Sequence, residues 1–533
     1  MRMRTSAAES AGPDRSVRMA PSTLDLLVVT FNCAKTLVDG GVFARHLQSA
    51  FGQNATALPD LVVLSLQEIA PLSQAFIGDY FLSPYFARFD EAVNLAAWWH
   101  DDDDASVTST DVARAKRRYT LVKGHNVGYT AILLFARDAA RVRKLQEAEV
   151  GFGAAEMGNK GAVGLRVLYD AAEAAEAVGG ERSTELTFVA THLAAMEWNL
   201  ARRNANWAAI MRGLTFGNPE EAVEQMGGQD GSPSAAVAAD PADGTSGERR
   251  GLLHEEHDEQ RARLQRRLHD MSVFKPSSHL FVAGDLNYRI STTSPPPGAA
   301  FPSLDPASEH YYPTFFPLDQ LTRERTAGRT LHGLTEHAVR FPPTYKYDVQ
   351  PATRQPETEV PWTFAPHRYP AWTDRVLYLD LPSWVRGREE EPPEEEPEEE
   401  EPEDGHERRC IDVRAYDAFP VMRTSDHRAV FLRATVPLVP PDQLAPPAPT
   451  PSSSSSSSSS RRQGSDADAS TDPRVRLPVE IDPEAWARRK AARRKEQLVG
   501  WSMFLWSTRE GAWILATLLA AGLGAYLFCG AAA

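Results

Sequence analysis

The sequence predicts an α/β fold, and three observations predict it. Short apolar runs rich in Val, Leu and Ala recur along the chain, each the length of a buried strand rather than of a helix. Charged, helix-favouring stretches such as 197–214 lie between them. Several of the apolar runs end abruptly on polar side chains, most informatively at Phe281-Val-Ala-Gly-Asp-Leu-Asn-Tyr-Arg289.

The elements follow in order. Residues 1–22 are small and polar and are expected to be disordered. Leu24–Thr30 and Leu61–Leu66 read as strands buried on both faces, because they are continuously apolar rather than alternating. Thr130–Phe135, Ala162–Leu168, Leu186–Thr191, Leu280–Ala283, Val376–Leu379 and Ala429–Ala434 read the same way. A catalytic-size domain is expected over 23–437, with two inserts. The first, 216–250, is rich in Gly, Ser, Ala and Asp and reads as a disordered loop; 251–270 then reads as a charged helix. The second, 386–408, holds a Glu/Pro run whose self-repulsion and prolines forbid packing. A Pro-rich stretch and a serine tract make 438–480 a flexible linker.

Net charge is −15 over 533 residues, but the run 389–404 supplies twelve of the negative charges, so the remainder sits near −3. Such a chain lacks the cationic surface that nucleic-acid binding requires, and no nucleic-acid partner is expected. Cys33, Cys410 and Cys529 are too far apart for a disulfide framework or a zinc site, which fits a reducing cytosolic setting. Arg2 and Arg4 are not followed by an apolar h-region, so no secretory signal peptide is expected.

The polar run at the end of the Phe281 strand brings a carboxylate, an amide and a guanidinium to one side of an extended segment. A strand end in Asp and Asn is also an ordinary turn. The chain adds Leu66-Gln-Glu68, Gly158-Asn-Lys-Gly161, Thr191-His-Leu-Ala-Ala195, Phe341-Pro-Pro-Thr-Tyr-Lys-Tyr-Asp348, Pro370-Ala-Trp-Thr-Asp-Arg375 and Ser425-Asp-His427. Hydrolysis of a phosphate monoester needs an activated water, neutralisation of the phosphoryl oxygens and a stabilised leaving oxygen. Asp285 is the candidate base and Asn287 the candidate phosphate holder. Glu68, at a buried strand end, is the obvious carboxylate for a magnesium ion, which takes few protein ligands. His192 and His427 read as core histidines or as charge stabilisers; Asp426 beside His427 would raise its pKa. Lys160 between glycines is either a hairpin turn or a point charge on an anion.

In that order, these motifs resemble the inositol polyphosphate 5-phosphatases of the endonuclease/exonuclease/phosphatase superfamily, from Asp25 to Leu432. The resemblance implies two mixed β-sheets packed face to face with helices outside, a four-layer sandwich. It implies Mg²⁺ on Glu68 assisted by Asn32, both histidines at the phosphate, and Tyr345, Lys346 and Arg375 on a neighbouring 4-phosphate. Trp372 and Tyr347 are expected as core aromatics. Three positions depart from the common pattern: Phe31 for Trp, Met196 for a polar residue, and Thr373 for Cys, the last expected to be silent.

The C-terminal stretch carries a separate signal. Arg488, Arg489, Lys490, Arg493, Arg494 and Lys495 form a basic cluster, and 511–533 contains no charge. That length suffices to span a bilayer, and Trp501, Trp506 and Trp513 suit its interface. The segments read as a basic juxtamembrane stretch, 481–510, and a transmembrane tail anchor, 511–533, with the enzyme cytosolic. Lack of basic residues after the span points to the endoplasmic reticulum. The expected activity is magnesium-dependent removal of the 5-phosphate from the lipid phosphatidylinositol 4,5-bisphosphate. The rivals are another phosphodiesterase or nuclease of the superfamily, and a catalytically silent phosphoinositide-binding tether. Phe76-Ile77 and Tyr80-Phe81 could reach into the headgroup layer or belong to the core.

Overall fold

The computed structural model describes residues 23–102, 117–171, 183–227, 246–349, 360–386, 410–447 and 472–531. Its strands are β1 (Thr23–Asn32), β2 (Leu61–Gln67), β3 (Thr120–Val127), β4 (Thr130–Ala136), β5 (Val142–Gly151), β6 (Gly161–Asp170), β7 (Ser183–His192), β8 (His279–Asp285), β9 (Tyr347–Val349), β10 (Trp362–Phe364), β11 (Asp374–Leu379), β12 (Asp412–Ala418) and β13 (Val430–Pro437). One sheet runs β12-β13-β1-β2-β4-β3, the other β11-β8-β7-β6-β5, and β9 and β10 form a separate hairpin. Each large sheet is antiparallel except for one central parallel pair, β1 with β2 and β7 with β8.

Period-2 alternation explains the layers. Along β1, Leu24, Leu26 and Val28 enter the core between the sheets. Leu27, Val29 and Phe31 face the other way, into a second core. That second core is closed by the helices Gly40–Gly52 and Ser83–Asp102, which contribute Phe43, Leu47, Phe89 and Val93. On the far sheet, Val189, Leu280 and Val282 face a third core closed by Trp207 and Ile210 of the helix Leu200–Gly213. Strands buried on both faces need apolar residues at every position, which is why they read as continuous runs. Each such Leu, Ile or Phe contributes about 1.5–3 kcal/mol by leaving water. The expected two-sheet, four-layer α/β arrangement is what these contacts build. Ser65 Oγ crosses between the sheets to donate to the carbonyl of Ala283 at 2.8 Å.

Several segment boundaries differ from expectation. Phe216 is buried and Pro219–Gly227 is helical, so the first insert is not a loop from its start; the rest of it, 228–245, lies outside the described residues. The charged helix is Ser246–Met271. Residues 1–22 and 387–409 also lie outside them. The linker expected over 438–480 is packed at both ends. Val439 and Leu444 are buried, and Arg474 is buried with a hydrogen bond to the carbonyl of Leu379. The basic stretch is not free either: Ala485–Ser507 is a helix docked on the sheets' edge through Ala485, Arg489, Ala492, Glu496, Gly500 and Phe504. Among the described residues one helix, Arg509–Cys529, is long and apolar enough to cross a membrane, and it makes no buried contact with the domain.

Candidate active site

The two parallel strand pairs end side by side, and their last residues are the polar ones. Asn32 is in register with Gln67, and His192 with Asp285. Gly284 permits this: a Cβ there would stand 1.9 Å from the carbonyl oxygen of Thr191. Asp285 is buried and accepts from three sides. Asn32 Nδ2 donates to Oδ2 at 3.1 Å, His192 Nε2 lies 3.2 Å from the same oxygen, and the amide of Asn287 donates to Oδ1 at 3.1 Å. Burial would raise the Asp285 carboxyl, but the His192 bond and the charges of His427 and Lys160 hold it below its ordinary value.

Asn287 turns into the left-handed region at φ 57°, a conformation asparagine tolerates. Its Nδ2 donates to the carbonyl of Leu193 at 3.1 Å, and its Oδ1 accepts from Arg289 at 2.5 Å. Lys160 lies against the ring of His192, with Nδ1 at 3.3 Å and a closer contact at Nε2. Burial pulls the Lys160 ammonium down to about 8, against the pull of Asp285 and Glu68. Burial and the Lys160 charge likewise lower His192, despite Asp285.

His427 completes the group from β13's approach. Its Nε2 is 4.0 Å from Asp285 Oδ2, and its Nδ1 hydrogen-bonds Asp374 Oδ2 at 2.9 Å. Burial alone would lower the imidazole; Asp374 and then Asp285 reverse this and lift it to about 9. Burial raises Asp374 in turn, the His427 charge opposing it and the Asp285 charge adding to it. Thr344 and Thr373 hydroxyls donate to the same Asp374 oxygen at 2.7 and 2.8 Å. Asp285, Asp374 and His427 thus form a buried acid–imidazole cluster, in which His427 bonds Asp374 and faces the Asp285 charge.

One expectation needs correcting here, that for Arg375. The carboxylate bonded to His427 is Asp374; Asp426 raises the imidazole as expected, after Asp374 and Asp285, while its Oδ2 accepts from Lys346 at 2.6 Å. Thr373, at the position that departs from the common Cys, keeps a donor there, its hydroxyl bonding Asp374. Arg375 does not face the site. Its guanidinium is fully buried, bound to Glu336 through Nε at 2.6 Å and to Asp319 through Nη1 at 3.0 Å. Its two neighbours already satisfy the charge, so no valence is left for a substrate phosphate. Asp374 stands in the Trp372-Thr-Asp-Arg375 run, but its pairing with His427, 53 positions away, is not visible there.

Tyr345 and Lys346 do border the group. The Tyr345 ring lies 4.4 Å from that of His427 and 4.3 Å below the Arg289 guanidinium. Lys346 Nζ stands 5.4 Å over the same ring. Trp372 and Tyr347 are buried, as core aromatics should be. Phe76 is core, whereas Tyr80 is exposed and Phe81 packs on Trp501 and Phe504.

Glu68 follows β2 with φ 47°, which turns its side chain toward the cluster. Burial would raise its carboxyl; His192, Lys35 and Lys160 outweigh that and lower it. Lys35 Nζ lies 2.8 Å from Glu68 Oε2, the position a cation would take. With Asn32 beside it, Glu68 offers the oxygen donors that a hard divalent cation requires, so the residues present fit such an ion.

Relatives resemble this chain over about two thirds of its length. Polyphosphatidylinositol phosphatase INP53 of Saccharomyces cerevisiae is 27% identical over 363 residues, 67% of this chain and 24% of that protein. Type II inositol polyphosphate 5-phosphatase 14 of Arabidopsis thaliana is 26% identical over 67% of this chain and 27% of that protein. The chain therefore spans about a quarter of the length of these curated relatives. The solved inositol polyphosphate 5-phosphatase domain of SPsynaptojanin, in complex with inositol (1,4)-bisphosphate and calcium ion, covers 78% of this chain and 85% of its own, at 20% identity and TM-score 0.46. The description Endonuclease/Exonuclease/phosphatase family 2 matches residues 29–433, which hold every site residue named above, and the chain belongs to that family.

Proposed function

We propose that the chain is a membrane-held, magnesium-dependent phosphoinositide 5-phosphatase that converts phosphatidylinositol 4,5-bisphosphate to the 4-phosphate. The observation that carries the reading is the convergence of Asp285, His192, Asn287, Lys160, His427 and Glu68 at the ends of two parallel strand pairs. The names of the relatives support the phosphate-ester class.

In this reading the 5-phosphate lies among Asn287 Nδ2, Lys160 Nζ and the imidazoles, where cationic groups neutralise its oxygens. Asp285 stays ionised and accepts a hydrogen bond from the attacking water, aligning it on phosphorus. Water oxygen bonds to phosphorus, the bond to the inositol oxygen breaks, and the leaving oxygen takes a proton. His427, charged at neutral pH by Asp374, is the proton-bearing group at the site. A magnesium ion on Glu68 and Asn32 would supply Lewis-acid neutralisation of the phosphoryl oxygens. Lys346, half-buried beside Tyr345, is the group we assign to the 4-phosphate.

The apolar helix Arg509–Cys529 supports placement in a membrane. We propose the endoplasmic reticulum, because 511–533 carries no charge that would favour another membrane. Phosphate release from phosphoinositides and soluble inositol phosphates, with magnesium or with EDTA, tests the chemistry. Release confined to 5-phosphorylated rings and lost in EDTA is expected; release that survives EDTA, or a nucleic acid as the favoured substrate, would overturn it. A fluorescent fusion with and without 511–533 tests the location.

A further inference from the structure

The helix Ala485–Ser507 touches the loop that carries Lys160. Next to its basic cluster stands the helix's one acid, Glu496, and it is fully buried. Its Oε1 accepts from the backbone amide of Gly158 at 2.7 Å, two residues before Lys160. Arg489 holds the carboxylate in place, Nη1 to Oε1 at 2.6 Å and Nη2 to Oε2 at 2.8 Å, and its Nε reaches Glu149 at 2.8 Å. The loop is held from its other side as well. The Gly158 carbonyl accepts from Tyr129 at 3.2 Å, and the Tyr129 carbonyl accepts from Ile69, next to Glu68, at 3.3 Å.

Four residues further on, Gly500 lets the helix approach the segment that follows Glu68. A Cβ at Gly500 would lie 2.9 Å from Phe76 Cβ and 3.1 Å from the carbonyl oxygen of Ser73. Arg493 donates to the carbonyl of Phe76 at 3.0 Å. The helix therefore clamps both backbone segments that present charge to the site, the one bearing Lys160 and the one after Glu68.

We propose that Glu496 is a positioning residue for the reaction: it fixes the Gly158–Lys160 backbone and so the point at which the Lys160 ammonium meets the substrate phosphate. The helix leading to the apolar segment is then a part of the catalytic unit and not a passive tether. This rests on the function proposed above, through Lys160. Leu at 496 removes the acceptor; Gln keeps a carbonyl that can accept the Gly158 amide.

The full chain in detergent, assayed on a soluble inositol phosphate with a 5-phosphate, removes membrane recruitment from the readout. Glu496→Leu should lower kcat/KM about tenfold through displacement of Lys160, while Glu496→Gln stays within about twofold of wild type. In Lys160→Ala background, Glu496→Leu should cost nothing further, because both changes remove one function. Amide hydrogen exchange over 151–161, which needs no substrate, should quicken in Glu496→Leu and not in Glu496→Gln. Gly500→Leu keeps Glu496 but wedges the helix from Phe76, and should open the same segment should Glu496→Leu fail to fold. Unchanged exchange over 151–161, or losses that add to those of Lys160→Ala, would overturn the proposal. Rapid exchange with Lys160→Ala fully active would overturn the role of Lys160 instead, and with it the catalytic meaning of the contact.

Discussion

At the scale of the residue, Asp374 decides how His427 behaves. Its carboxylate, braced by Thr344 and Thr373, is the first of the charges that lift the imidazole to about 9. Asp374→Asn should therefore move the alkaline limb of the kcat/KM profile toward lower pH and reduce turnover by about a hundredfold or more, as loss of an orienting partner does. An unshifted limb would show that His427 does not titrate in the profile. The sign for stability is the same. The folded pKa lies above the ordinary 6.5, so the stabilisation from a charged His427 is complete below that value and is lost as pH rises through about 9.

Arg375 and Lys346 part company at this scale. Arg375→Ala leaves Asp319 and Glu336 buried and unpaired, so it should destabilise the domain by about 3–5 kcal/mol in chemical denaturation, whatever the substrate. Lys346→Ala should keep the fold and weaken hydrolysis of 4,5-bisphosphates relative to a ring carrying only a 5-phosphate, by about 1.5–3 kcal/mol in kcat/KM. Equal losses on the two rings would remove Lys346 from the 4-phosphate.

At the scale of the element, the ends of two parallel pairs make the site, and one glycine keeps one pair closed. Gly284→Val would drive side-chain atoms into the Thr191 carbonyl, so the β7–β8 register should fail and the protein should lose several kcal/mol, on the order of other overpacked core changes, or not fold. A Gly284→Val protein with wild-type denaturation would contradict that register. Central strands were legible because burial on both faces demands unbroken apolar runs. β3, β5 and β12 were not, because each lies at a sheet edge, where one hydrogen-bonding side is open and polar residues such as Lys123, Glu147 and Arg414 are favoured. Site residues at strand ends were legible for the same reason as the strands. Asp374 in its partner role and Glu496 were not, because each acts across a contact between residues 53 and 338 positions apart.

At the scale of the molecule, the docked helix changes what the basic cluster can do. Arg488 is paired with Glu156 and Asp482, Arg489 with Glu149 and Glu496, and Arg493 with backbone carbonyls, while Lys490, Arg494 and Lys495 remain exposed near Leu498 and Trp501 with no acid paired to them among the ion pairs described. The exposed three are the charges left for anionic lipid, each worth about 1 kcal/mol near the surface. Only Thr508 separates the docked helix from the apolar one, so no linker stands between the domain and the apolar segment. The central claim is that Asp285, poised by Asn32, His192 and the Asn287 amide, directs water onto a lipid 5-phosphate. The most direct test is phosphate release from phosphatidylinositol 4,5-bisphosphate in magnesium by the full chain and by Asp285→Asn, with the lipid product identified. The expected result is phosphatidylinositol 4-phosphate from the wild type and a loss on the order of a thousandfold in the folded variant; no release by the wild type, or more than about a tenth of its activity in Asp285→Asn, would contradict the account.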